Sequence, residues 1–229
     1  MKTSFQLEIN KAAKKMFFPE ERIKSKFQII EILLEACRYI LYNKREKEIK
    51  SEYKVILHID KMNRIFFVSK TKMYSITFPF SVNIDSHTDH VTLDYKEIME
   101  INSLTISNLL EIIKSSYLSS HNCLEFIEPI IFYEDNQKIN YWNVLRDLLL
   151  LEDGYLRYDY DEKGFQDARE KGKEHKHPLN HLDIFYTNQA TFKVGLENQY
   201  LYEDFRNILD LEEDCKYLNA PPRKKVKIV

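Results

Sequence analysis

Tyr155-Leu-Arg-Tyr-Asp-Tyr-Asp161, His177-Pro-Leu-Asn-His-Leu-Asp183 and Thr191-Phe-Lys-Val-Gly-Leu196 are the stretches on which the reading of this chain turns. Side chains along a β-strand alternate between faces, so each stretch sorts by parity before its neighbours are known. Leu156, Tyr158 and Tyr160 share one face, as do Leu182, Ile184 and Tyr186, and Phe192, Val194 and Leu196. The opposite face collects Arg157, Asp159, Asp161, His177, His181, Asp183 and Lys193. Residues 187–190 are short enough for a hairpin turn, whereas 162–174 form a long, charged connection that could cover or gate the polar face. The pattern predicts an antiparallel meander over about 155–196 with Leu156, Tyr158, Leu182, Ile184, Phe192 and Val194 in the core.

Three readings of the polar face stand open. An antiparallel sheet with one wet side shows such alternation in any case. A binding surface would use Asp159, Asp161 and Lys193. A catalytic site would use His177 and His181 as acid and base, with Asp183 and Arg157 beside them to orient and to stabilise charge. Histidine and aspartate are poor strand formers, which keeps the functional readings in play. His175-x-His177-x-x-x-His181 loosely resembles the cupin metal motif, but the glutamate and the second glycine-rich histidine motif are missing. Neither a metal nor another cofactor is expected.

Outward from this region, Tyr53–Ile59, Ile65–Ser69 and Met73–Phe80 are rich in β-formers and separated by short polar turns, with a fourth strand near Val91–Tyr95. They predict a first meander over about 53–95. Ile23, Phe27, Ile30, Leu34, Cys37 and Leu41 form a helical stripe, with Pro19-Glu-Glu21 as its start. The lead-in before it is short, basic and compatible with helix. Asn108 and Glu111 suggest a helix cap, Tyr141, Leu145, Leu148 and Leu149 a further helix closed by Gly154, and Leu201, Phe205, Ile208 and Leu209 a C-terminal one. The expected fold is α+β: two antiparallel meanders packed with a long N-terminal helix, one or two central helices and a C-terminal helix. A single domain over 1–229 is the simplest division, with 1–120 and 121–229 as the alternative.

The 229 residues carry 34 basic and 36 acidic side chains, a net charge of -2 that provides no global attraction to nucleic acid or to anionic membrane. Three scattered cysteines, Cys37, Cys123 and Cys215, fit neither a disulfide framework nor a zinc site, and read as buried or neutral thiols. With neither a secretory leader nor a membrane span apparent, a cytoplasmic protein is expected. Asp85-x-His87-x-Asp89-His90 reads as a polar turn, and His58 as a hydrogen-bonded strand histidine. The basic tail around Arg223, Lys224 and Lys225 is a candidate phosphate contact or docking segment.

In the three stretches quoted first, the chain resembles members of an uncharacterised bacterial domain family often encoded near phage-defence or mobile-element genes. The arginine-tyrosine-acid segment followed by a His-Pro cluster is also similar to small toxin-like bacterial proteins, without their doubled histidines. The resemblance implies an accessory or effector component of a bacterial defence or toxin-antitoxin-like system. Such a component would recognise a partner protein or nucleic acid through the polar face, with no membrane involved. The alternatives are a metal-independent ribonuclease or phosphodiesterase using His177 and His181, and a structural interaction module.

Overall fold

The computed structural model describes residues 4–23, 25–43, 51–59, 61–85, 87–96, 99–115, 128–137, 140–185 and 191–216. Strand β1 (Ser4–Glu8) and helices α1 (Lys11–Phe17) and α2 (Lys26–Tyr42) precede β2 (Lys54–His58), β3 (Arg64–Val68) and β4 (Lys72–Thr77). A small sheet follows, β5 (Ser81–Ile84), β6 (Val91–Tyr95) and β7 (Met99–Glu100), then α3 (Ser103–Lys114), α4 (Glu128–Gln137) and α5 (Tyr141–Leu150). The chain continues through β8 (Leu156–Tyr160), α6 (Glu162–Glu170), a 3-10 turn at Glu174–Lys176, β9 (Asn180–Phe185), β10 (Thr191–Leu196) and α7 (Tyr202–Leu209). Among these elements no helix is long and apolar enough to cross a membrane.

The two meanders are one sheet. Antiparallel pairing of β4 with β8 joins them into seven strands ordered β1-β2-β3-β4-β8-β9-β10. The register aligns one row of side chains across the whole width: Leu7, Val55, Phe67, Tyr74, Arg157, Asp183 and Lys193. Its first four members are buried in the main core with α1, α2, α3 and α5. Its last three are charged. The other face packs Ile56, Phe66, Met73, Tyr158 and Leu182 under Phe205 of α7. Both faces of the sheet are therefore covered.

The α+β class with antiparallel strands holds, while several local expectations need correction. The lead-in holds the expected helix as α1, but a strand precedes it, because Ser4-Phe-Gln-Leu-Glu8 alternates and zips onto β2. Pro19-Glu-Glu21 does not start α2. Ser25 does, accepting from the Gln28 amide while the Gln28 side chain accepts from Ser25 in a reciprocal capping box. Helix α3 is capped by Asn102, and Asn108 lies buried inside it, donating to the Tyr141 hydroxyl at 2.8 Å. Val91–Tyr95 belongs to the small sheet rather than to the first meander. Gly154, at φ +55°, forms the turn into β8 some residues after α5 has ended.

Candidate acid-base site at the charged end of the sheet

The parity of the second meander is as read, yet the polar face is not wet. Pairing sets Arg157 opposite Asp183 and Asp183 opposite Lys193, with Asp159, His181 and Gly195 forming the neighbouring row. Arg157, Asp159, His181 and Asp183 are all buried, His181 and Asp183 completely. The sheet continues the plane of the main core, and the connection between α1 and α2 brings Pro19 and Glu21 beside Tyr74 and Arg157. On the opposite face Tyr158 and Leu182 are buried and Leu156, Ile184 and Val194 half-buried, but Phe192 is exposed, lying near the edge beyond the helix that covers its neighbours.

The buried side chains satisfy one another. The Arg157 guanidinium donates to Asp159 at 2.7 Å and to Asp183. The Lys193 ammonium donates to Asp183 at 2.8 Å and to His181 Nε2 at 2.6 Å. His181 Nδ1 lies 2.8 Å from the Pro178 carbonyl oxygen, which can only accept. The proton of neutral His181 therefore sits on Nδ1, and Nε2 is the acceptor for Lys193. Burial and the Lys193 charge push the His181 imidazole below its ordinary range. Burial alone would raise the Asp183 carboxyl, but the Lys193 hydrogen bond and the Arg157 charge outweigh it and hold it low. Arg157 is likewise raised, since Asp159 and Asp183 outweigh the burial that opposes its charge. Two cations, two carboxylates and a neutral imidazole form a closed, charge-balanced network.

A second pair stands at the mouth. Asp161 caps α6, accepting from the Gly164 amide at 2.8 Å, and also meets His177 Nε2 at 2.8 Å. Burial works to raise the Asp161 carboxyl, but these two hydrogen bonds outweigh it and keep it low. With Nε2–H donated to a carboxylate, neutral His177 carries its lone pair on Nδ1. The His177 and His181 ring centroids lie 5.1 Å apart. Gly164 makes the pair possible: a Cβ there would lie 2.5 Å from both Asp161 Oδ2 and His177 Nε2. A glycine inside a helix costs about 1 kcal/mol relative to alanine, so its place in α6 has a specific steric reason.

His177, Asp161, Asp159, Arg157 and Lys193 line a cavity of about 380 Å³, rimmed by Glu20, Glu21, Arg22 and Lys72. Glu20 and Glu21 of the rim, which with Pro19 the sequence suggested as a helix start, are loop, as is Arg22. His177 precedes β9 rather than lying in it. His181 is completely buried, away from the pocket lining, and is bonded to Lys193. The three-imidazole motif fails, since the His175 side chain is 96% exposed. Asp159, His181 and Asp183 offer ligand-type atoms within 4.8 Å of one another. Lys193 and Arg157 are already bonded to those atoms, so a cation could enter only by breaking the network.

The remaining candidates lie elsewhere. Asp85 accepts from the His87 and Thr88 amides at 2.7 and 2.9 Å in a tight turn. His58 joins β2 to α7 through the Tyr202 hydroxyl at 2.7 Å. Cys37 is buried, which pushes its thiol up, and Cys215 is exposed. Arg223, Lys224, Lys225 and Cys123 lie outside the described residues.

The chain is an antiparallel α+β fold with a hydrogen-bonded His177–Asp161 pair at the mouth of a polar pocket floored by buried ion pairs. No family model, curated protein or solved structure matches the chain.

Proposed function

We propose that the chain is a metal-independent hydrolase of the acid-base type, acting on a phosphodiester. The observation that carries this reading is the convergence of His177, oriented by Asp161, with Lys193 in one pocket. His177 Nδ1 takes the proton of the attacking hydroxyl or water as its oxygen bonds to phosphorus. The bond from phosphorus to the leaving oxygen then breaks, and the imidazolium returns the proton to that oxygen. Lys193 has three N–H donors and spends two on Asp183 and His181. The third stabilises the non-bridging oxygens as charge gathers on them. His181 is a positioning residue in this scheme rather than the second acid-base.

Buried ion pairs cost more to desolvate than hydrophobic packing of the same volume, so four charges under a pocket are poor stability design. They make sense as a means of fixing one ammonium. The test is turnover of labelled RNA and of bis(4-nitrophenyl) phosphate in the presence of EDTA, by wild type and by His181→Ala. The reading expects turnover that EDTA leaves intact and that His181→Ala weakens. Absence of turnover on both substrates would refute it.

A second reading keeps the region as the recognition element of a bacterial defence or toxin-antitoxin-like component, with a protein or nucleic-acid partner. It draws on α6, a nine-residue helix without a single buried residue, inserted between β8 and β9. The recognition surface would then be α6 and the pocket rim.

A further inference from the structure

Arg157 is spent on buried carboxylates, and Lys193 keeps only the one N–H that the chemistry uses, which leaves Arg22 and Lys72 as the pocket cations with capacity to hold a bound ligand. The Arg22 side chain is 46% exposed, and among the described residues its one ion-pair partner, Asp183, is 4.0 Å away, beyond hydrogen-bond range. Lys72 stands opposite Asp159 in the β4–β8 register and forms no ion pair among the described residues. The same rim carries three carboxylates, Glu20, Glu21 and Asp161. A polyanionic chain needs a track of cations along several phosphates, and these carboxylates would repel it. A ligand with one anionic group, sized for about 380 Å³, can meet Arg22 and Lys72 while bringing a single charge among those carboxylates.

We infer that the pocket binds a small molecule through a single phosphoryl group held between Arg22 and Lys72, with His177 beneath it. This rests on the acid-base reading for its chemistry and on the rim alone for its binding. A compact phosphodiester of mononucleotide size is the substrate class, and long RNA is not.

The test titrates inorganic phosphate, and separately a 2′,3′-cyclic mononucleotide, into the whole chain while the His177 imidazole is followed by NMR. Saturable shifts are expected for both, weakened at least tenfold in Arg22→Gln and in Lys72→Gln and unchanged in Lys114→Gln, a remote surface lysine. The two rim side chains make no short bonds, so these variants should fold normally, which the unchanged spectrum elsewhere verifies. Shifts that are absent, or equal in all variants, would overturn the inference. So would a 12-nucleotide RNA that competes tenfold better than the cyclic mononucleotide. Binding without turnover would sink the hydrolase reading and leave this one standing. Turnover with KM unchanged in Arg22→Gln and Lys72→Gln would do the reverse.

Discussion

Removing the Lys193 ammonium without removing its volume, as Lys193→Met does, strips one of two cations from Asp183, whose side chain has no exposed surface. It also leaves His181 Nε2, equally buried, without a donor. Breaking a buried pair by deleting one partner costs about 3–5 kcal/mol, and an orphaned buried acceptor adds about 1–3. Because Arg157 still grips Asp183, the lower end of both applies, and the variant should lose about 4 kcal/mol. For a chain of this size that corresponds to a fall in Tm of roughly 8–16 °C. The paired variant Lys193→Met/Asp183→Leu restores neutrality, since Arg157 keeps Asp159, and should be about 2–3 kcal/mol more stable than the two single losses predict by addition. Urea denaturation of the four proteins measures this coupling. A single-variant loss under about 1 kcal/mol, or strict additivity, would refute the closed network.

Three further outcomes follow from the same structure. Gly164→Ala, although alanine is the better helix former by about 1 kcal/mol, should not stabilise the protein, and the NMR signals of His177 should show its bond to Asp161 broken. Acid should weaken the fold in two stages. His181 and Asp183 both titrate below their unfolded values, so each contributes stability above its unfolded pKa that is lost as pH falls. The imidazole stage begins near pH ~6.5 and the carboxylate stage below ~3.9, and His181→Gln should abolish the first in a pH series of urea midpoints. Phe205→Ala, which empties a fully buried site against Phe66, should cost about 3–5 kcal/mol by urea denaturation, and a loss under 1 kcal/mol would contradict the packing of α7.

What was legible in the sequence was local. Strand alternation is a property of neighbouring residues, and it placed Arg157, Asp159, His181, Asp183 and Lys193 on one side without knowledge of pairing. Their burial was not legible, because the cover comes from residues near Pro19, more than a hundred positions earlier, and a polar face ordinarily signals solvent. The joining of β4 to β8 was hidden for the same reason: register between distant strands is set by tertiary contact. Other signals were present and unread. Ser25 with Gln28 is a capping pair just before an apolar stripe, and the alternation of Ser4-Phe-Gln-Leu-Glu8 marks a strand. Gly164 inside a charged helix marked the one place where His177 and Asp161 needed room.

The most direct test compares turnover of bis(4-nitrophenyl) phosphate by wild type, His177→Ala and Gly164→Ala in EDTA. The account predicts a loss of about 100-fold or more for His177→Ala, in the range that a positioned acid-base contributes, and a parallel loss for Gly164→Ala. Wild-type rates in His177→Ala would contradict it.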